Sequence, residues 1–264
     1  MRLAELFEAE VKGSPLKPEV IENALELFKT SCKNAKWMLE KDRPIWKGFH
    51  GVQPAPEGKI AVIDTHQSKR KSQNSQNYYT EILDHSSYFE GWPKRSQSLI
   101  CSLDKNYAEG YSQRSGGLYA IVPFNDAKIG SVEAVDIWGV EFQPFGVGSS
   151  IGFEDFNSWL KHLKITDTID GLCDFAEKLA NRDEDAVKGF EKAFPEAAKD
   201  TDVLDDFMGY LNGSLSPEIL GFEQYDSRSV RNAMDEAEVW VSGKVLIMTD
   251  KTWDALVLQN KMSG

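Results

Sequence analysis

Apolar residues first fall at a helical spacing in Pro18-Glu-Val-Ile-Glu-Asn-Ala-Leu-Glu-Leu-Phe-Lys, where Val20, Ile21, Ala24, Leu25 and Phe28 share one side. Pro18 suits a first helical turn, because a proline there gives up no hydrogen bond. The pattern predicts a helical arm over 1–41 and a main domain over 42–264. Arg43–Gly51 follows as a short strand with glycines, and 59–63 is another apolar run. Residues 64–77 are polar with a basic centre and read as a loop. Tyr78–Phe89 is expected as a helix that stops near Gly91-Trp92-Pro93. A strand at Ser98–Ser102, a helix at Asp104–Tyr111 and a strand at Gly116–Pro123 come next. Residues 154–213 carry amphipathic helical patterns at Phe156–Leu163, Thr168–Ala180, Asp183–Ala198 and Asp202–Leu211. Strand periodicity returns only at Val239–Met248. No internal repeat is visible. The expected class is α+β, with a helical insertion at about 154–213 between strand blocks.

Charge sharpens that division. The 264-residue chain has net charge −12. Residues 154–226 hold 18 Asp/Glu and 7 Lys/Arg, so that stretch alone carries −11. Such a surface opposes general nucleic-acid or anionic-membrane binding and would favour a basic partner. No apolar run approaches transmembrane length, so no membrane span is expected. The N-terminus mixes charge with apolar residues and lacks the apolar region of a signal peptide. Cys32, Cys101 and Cys173 are far apart and odd in number, which suits a reducing, cytoplasmic setting rather than a disulfide framework.

Candidate chemistry sits in two places. In Glu236-Ala-Glu238-Val-Trp-Val-Ser-Gly243, two carboxylates two residues apart at a strand start are expected on one face. Paired acids can grip sugar hydroxyls and oppose a developing cation, as they do in glycoside cleavage. The plain alternative is a solvated edge-strand pair, the default for exposed charge. The second place is Pro93-Lys-Arg-Ser-Gln-Ser-Leu-Ile-Cys-Ser102, a strand ending in a hydroxyl with a helix after it. Along that strand Ser98, Ile100 and Ser102 face one way. A strand serine beside a helix start can equally be a plain cap.

Taken together, in this order, the two segments resemble the Arg–Ser–Glu class of mono-ADP-ribosyltransferases, which includes bacterial toxins and bacteriophage enzymes. The class has an aromatic-Arg-Gly on an early strand, a Ser-Thr-Ser strand before a helix, and a late Glu-x-Glu strand. Here Trp46-Lys47-Gly48, Ile100-Cys101-Ser102 and Glu236-Ala237-Glu238 stand at those places. The resemblance covers roughly 43–130 and 222–250. It implies a split mixed β-sheet core and NAD as substrate, with no metal. It also implies a protein as ADP-ribose acceptor, either in a host cytoplasm or carried in a virion. Glu238 takes the place of the catalytic glutamate. Glu236 takes the position tied to arginine acceptors. Ser102 or Ser98 would orient Glu238 and meet the nicotinamide ribose. Lys47, with Trp46 and Gly48, takes the place of the arginine motif that supports the NAD phosphates. Lysine there keeps charge but loses the two-pronged hydrogen bonding of guanidinium. Arg43, Arg95 and His50 are candidates to compensate, and Arg95 is counted among the cofactor-binding residues. His50-Gly51 also matches a mark of the His–Tyr–Glu branch, a second choice within the same superfamily. Phe222-Glu-Gln-Tyr225-Asp-Ser resembles the target-recognition turn, in which an exposed aromatic, here Tyr225, would touch the acceptor protein.

Trp46, Tyr119 and Trp240 are stacking candidates, although strand aromatics are usually core. His50, His66, His85 and His162 show no metal-ligand spacing, and no phosphate-cradling glycine loop or Gly-x-Ser-x-Gly elbow occurs. Two other classes stay open. One is a transferase-like fold without activity, serving as a binding or virion structural module. The other is an acidic mimic of nucleic acid built on 154–226.

Overall fold

The strongest apolar segments of the chain meet in one buried layer. In this computed structural model the described residues are 18–49, 60–67, 77–85, 89–112, 117–137, 141–142, 151–166, 168–195, 198, 217, 221–233 and 235–263. The sequence expectations for 1–17, His50, Gly51 and Asp202–Leu211 lie outside them. The chain divides into two compact units, one of residues 1–69, 97–135 and 224–264, the other of 70–96 and 136–223.

In the first unit, α1 (Pro18–Thr30) buries Ala24 and Phe28, and α2 (Lys36–Lys41) buries Met38 and Leu39. These side chains belong to the same core as the sheet. The arm is thus part of this unit's core. Helix α2 stops where Asp42 turns left-handed at φ 53° and its N–H bonds Met38 O.

An eight-stranded sheet follows from β1 (Ile45–Phe49), β2 (Ile60–Asp64), β3 (Ser98–Ser102), β4 (Gly117–Pro123), β5 (Lys128–Val132), β8 (Phe222–Asp226), β9 (Glu238–Ser242) and β10 (Lys244–Thr249). Their order is β2-β10-β4-β1-β3-β9-β5-β8. From β2 through β5 every pairing is antiparallel, so the expected mixed sheet is not what forms. The strand at Val239–Met248 is in fact two strands, broken at Gly243. Lys128–Val132 and Phe222–Asp226 are strands that the periodicity did not announce. Both are short, and Gly130 in one and Glu223, Gln224 and Asp226 in the other blur the alternation.

The order conceals a sharp bend. Strands β9 and β10 are separated by Gly243 alone, yet β3, β1 and β4 lie between them in the sheet. Four strand spacings in a flat sheet would be roughly 19 Å. Two Cα steps span at most about 7.6 Å. The sheet is therefore folded over, and the hinge is β1–β3, whose register holds the single pair Trp46↔Ser102. Gly243 makes the corner at φ 112°, where Ala127 Cα would lie 3.3 Å from an added Cβ. Thr65 clasps this corner: its hydroxyl accepts from Gly243 N at 2.9 Å and its N–H donates to Gly243 O at 3.1 Å. His66 Nε2 also meets Ser242 Oγ at 2.8 Å.

Between β3 and β4 runs α4 (Lys105–Ser112), and it lies directly on β1 at Gly48. The C-terminal α8 (Asp250–Ser263) buries Trp253, Leu256 and Val257, and Trp253 Nε1 donates to Asp42 Oδ1 at 2.9 Å.

The second unit contains α3 (Tyr78–His85), the two-residue strands β6 (Glu141–Phe142) and β7 (Ile151–Gly152), α5 (Phe153–His162), α6 (Ile169–Ala180) and α7 (Glu184–Ala193). Its centre is Trp159, ringed edge-on by Phe175, Phe190 and Phe194 at 5.1, 5.5 and 5.5 Å between centroids. Asp183 caps α7 by accepting from Asp185 N and Ala186 N, as the amphipathic pattern and preceding acid anticipate. Among the described residues no helix is long and apolar enough to cross a membrane.

Close packing at Gly48 gives a sharp test. An added Cβ would fall 1.9 Å from Ala108 O, a backbone atom that cannot swing away. Gly48→Ala is expected to cost about 1–3 kcal/mol in urea unfolding, the usual range for overpacking. Gly110→Ala, on the same helix with nothing within 4 Å, should be neutral or stabilising.

Candidate active site

Register places the two candidate segments side by side. Strand β3 pairs with β9 so that Ser102 lies opposite Glu238, Ile100 opposite Trp240 and Ser98 opposite Ser242. On the far side of β9, Val132 is opposite Glu238; on the other side of β3, Trp46 is opposite Ser102. Directly opposed residues share a face of the sheet. Trp46, Ser102 and Glu238 therefore form one row across three strands. Glu238 is 6% exposed and Ser102 4%.

Glu236 is not in this row. The paired part of β9 begins at Glu238, and Glu236 lies in the preceding turn, exposed to solvent. The cause is visible in the backbone: Leu103 N donates to Ala237 O and Glu238 N to Ala134 O, at 3.1 and 2.7 Å. Ladder bonding starts there and leaves Asp235 and Glu236 outside. Asp235 is ion-paired with Arg43, which commits that arginine to the turn.

Ser102 also has a local task. Its Oγ accepts from Asp104 N at 3.0 Å, and Asp104 Oδ1 accepts from Asn106 N at 2.7 Å and Tyr107 N at 3.2 Å. Asp104 is the true helix cap, one that Asp ahead of a helical run could have signalled. Because Ser102 Oγ is an acceptor in this contact, its hydrogen remains to be donated. Ser98 is buried opposite Ser242, at the other end of β3.

Lys47 takes the other face. It alternates with Trp46 along β1 and registers with Tyr119. Its ammonium stands 5.4 Å from the Phe49 ring. Gly48 returns to the Trp46 face, under α4. Tyr119 and Trp240 are wholly buried core residues, which removes both as stacking surface for a ligand. Trp46 is nearly buried and carries the Lys105 ammonium 4.6 Å above its ring. Arg95 belongs to the second unit, where it is buried and its N–H donates to Asp84 Oδ1 at 2.6 Å. Tyr225 is half-buried on β8 and packs against the core, rather than standing exposed in a turn. The turn comes one residue later. There Asp226 Oδ1 accepts from Arg228 N, Ser229 N and Ser229 Oγ at 2.9, 2.7 and 2.8 Å, and the Ser229 bonds hold its carboxyl below the usual range.

Comparison with protein-family models, with curated proteins and with solved structures finds no match. Among the described residues no cluster of His, Cys, Asp and Glu could hold a metal ion.

Behind the row lies Cys101. Burial pushes its thiol up from 9.0 to about 12, while Lys47 pulls it down and Glu238 pushes it up. Both charges thus act on one sulfur atom. Burial likewise raises Cys32 to about 12. The native state keeps protons that the unfolded chain gives up above pH 9.0, so this stability is present below that pH and lost as pH rises toward 12. Urea midpoints should fall between pH 9 and 10.5, and Cys32→Ala/Cys101→Ala should show a shallower fall over the same interval.

Proposed function

We propose that this chain transfers ADP-ribose from NAD to a protein side chain, with arginine the favoured acceptor, on a core of the ADP-ribosyltransferase kind. The observation that carries the reading is the shared row of Trp46, Ser102 and Glu238 on adjacent strands. It brings together one residue from each of three sequence marks that are far apart in the chain.

In this reading the bond between the nicotinamide nitrogen and ribose C1′ breaks, and its electron pair neutralises the pyridinium. The ribose acquires oxocarbenium character, which the buried Glu238 carboxylate opposes at short range. The Ser102 hydroxyl, with its hydrogen available, orients that carboxylate. An acceptor nitrogen then bonds C1′ and loses a proton. Glu236 is exposed two residues before the row, and in this reading it meets the incoming guanidinium rather than the sugar. The acidic faces of α6 and α7 would suit a basic acceptor protein.

A second reading is a non-catalytic binding or virion module. The position of Lys47 across the sheet from Glu238 favours it, because the motif's cation then does not face the row.

Incubation of the intact protein with labelled NAD and lysate, followed by detection of labelled protein, separates the two. Glu238→Gln keeps shape and removes charge. Transfer should drop by about 10²–10³-fold, the range for loss of one comparable electrostatic group. Equal labelling by variant and wild type removes Glu238 from the reaction. NAD binding without any label favours the second reading.

A further inference from the structure

We propose that Lys105, held over Trp46, forms an anion subsite that takes a diphosphate, the cation of the Glu238 face in place of Lys47. This rests on the ADP-ribosyl-transfer reading for the identity of its ligand, though not for its geometry.

Three observations converge on it. The Lys105 ammonium stands 4.6 Å from the centre of the Trp46 ring. Trp46 opposes Ser102, which opposes Glu238, so the lysine is stationed at one end of the row and the carboxylate at the other. Helix α4 covers this same face, since Ala108 O would lie 1.9 Å from a Cβ at Gly48. Lys47, by contrast, registers with Tyr119 on the opposite face.

The chemistry of the ends differs in the way a dinucleotide requires. Glu238 accepts hydroxyl hydrogens and repels phosphate. Lys105 attracts phosphate, and its ring partner Trp46 is separated from Glu238 by β3 in the strand order. A ligand with ribose hydroxyls beside a diphosphate complements both ends at once. Among the described residues no carboxylate ion-pairs with Lys105, so its charge is not already spent inside the protein. Contact with an aromatic face holds the ammonium in place without neutralising it. The helix end itself is not the attractor: Asp104 already takes the N–H groups of Asn106 and Tyr107. The subsite is the side chain.

The test is equilibrium titration of the full chain with ADP-ribose, at low and high salt, with nicotinamide riboside as the ligand lacking a diphosphate. Lys105→Gln keeps an uncharged stem over Trp46 and should weaken ADP-ribose binding tenfold or more at low salt. The loss should shrink at high salt, where the charge is screened. Lys105→Arg should restore binding, because guanidinium meets phosphate with paired hydrogen bonds. Nicotinamide riboside should bind both proteins alike. Lys33→Ala, an exposed cation elsewhere, is the control for general charge. ADP-ribose affinity within twofold of wild type in Lys105→Gln overturns the proposal, as does a loss carried by Lys47→Ala instead. If wild type binds neither ADP-ribose nor NAD at millimolar concentration, the transfer reading fails and the subsite fails with it. If ADP-ribose binding depends on Lys105 while no labelled protein forms from NAD, the subsite stands and the transfer reading falls.

Discussion

A one-residue link between two strands that are not neighbours governs the first unit. Gly243 joins β9 to β10 across a gap that a flat sheet could not close. Every other feature of that unit accommodates this. The sheet folds at β1–β3, where pairing shrinks to Trp46↔Ser102. Thr65 satisfies both backbone groups of the corner. Interior strands then have two faces to bury, which explains why β4, β9 and β10 are buried nearly throughout instead of on alternate residues.

The fold-over also explains why candidate chemistry gathers at the hinge. Ser102 occupies that point and serves both halves: it stands opposite Trp46 and Glu238, and it starts the turn into α4. Its hydroxyl oxygen accepts from Asp104 N. Burial raises the Cys101 thiol, Lys47 lowers it, and the Glu238 carboxylate raises it further.

Elements with a strong local signal were readable from the sequence. Ser98–Ser102, the helix after it and Gly117–Pro123 form where apolar alternation and flanking glycine place them. The adjacency of the Ser and Glu strands was anticipated from ordered motifs, and the register delivers it. What periodicity could not supply was pairing. Glu236-x-Glu238 looks like a strand pair in sequence, but the ladder's start depends on Leu103 and Ala134, distant in the chain. The face taken by Lys47 depends on which residue of β1 meets Ser102. Tyr225 falls in a strand because β8 finds a place beside β5, not because its own residues alternate clearly. Lys105 carried no signal, since it lies on α4 and its partner Trp46 on β1, and only the fold brings them together.

The threading of this unit has a consequence for biosynthesis. Of the strands in this sheet β9 and β10 are made last, yet each sits between earlier strands: β9 between β3 and β5, β10 between β2 and β4. Until residue 249 is made, four earlier strands present unpaired edges, the kind of surface that invites association between chains. The nascent protein therefore cannot complete its sheet from the N-terminus onward. It must hold those edges open through synthesis of the whole second unit and close them in one late step. A chain truncated before β10 would be expected to fail as an assembly, rather than to persist as a smaller, working version of itself.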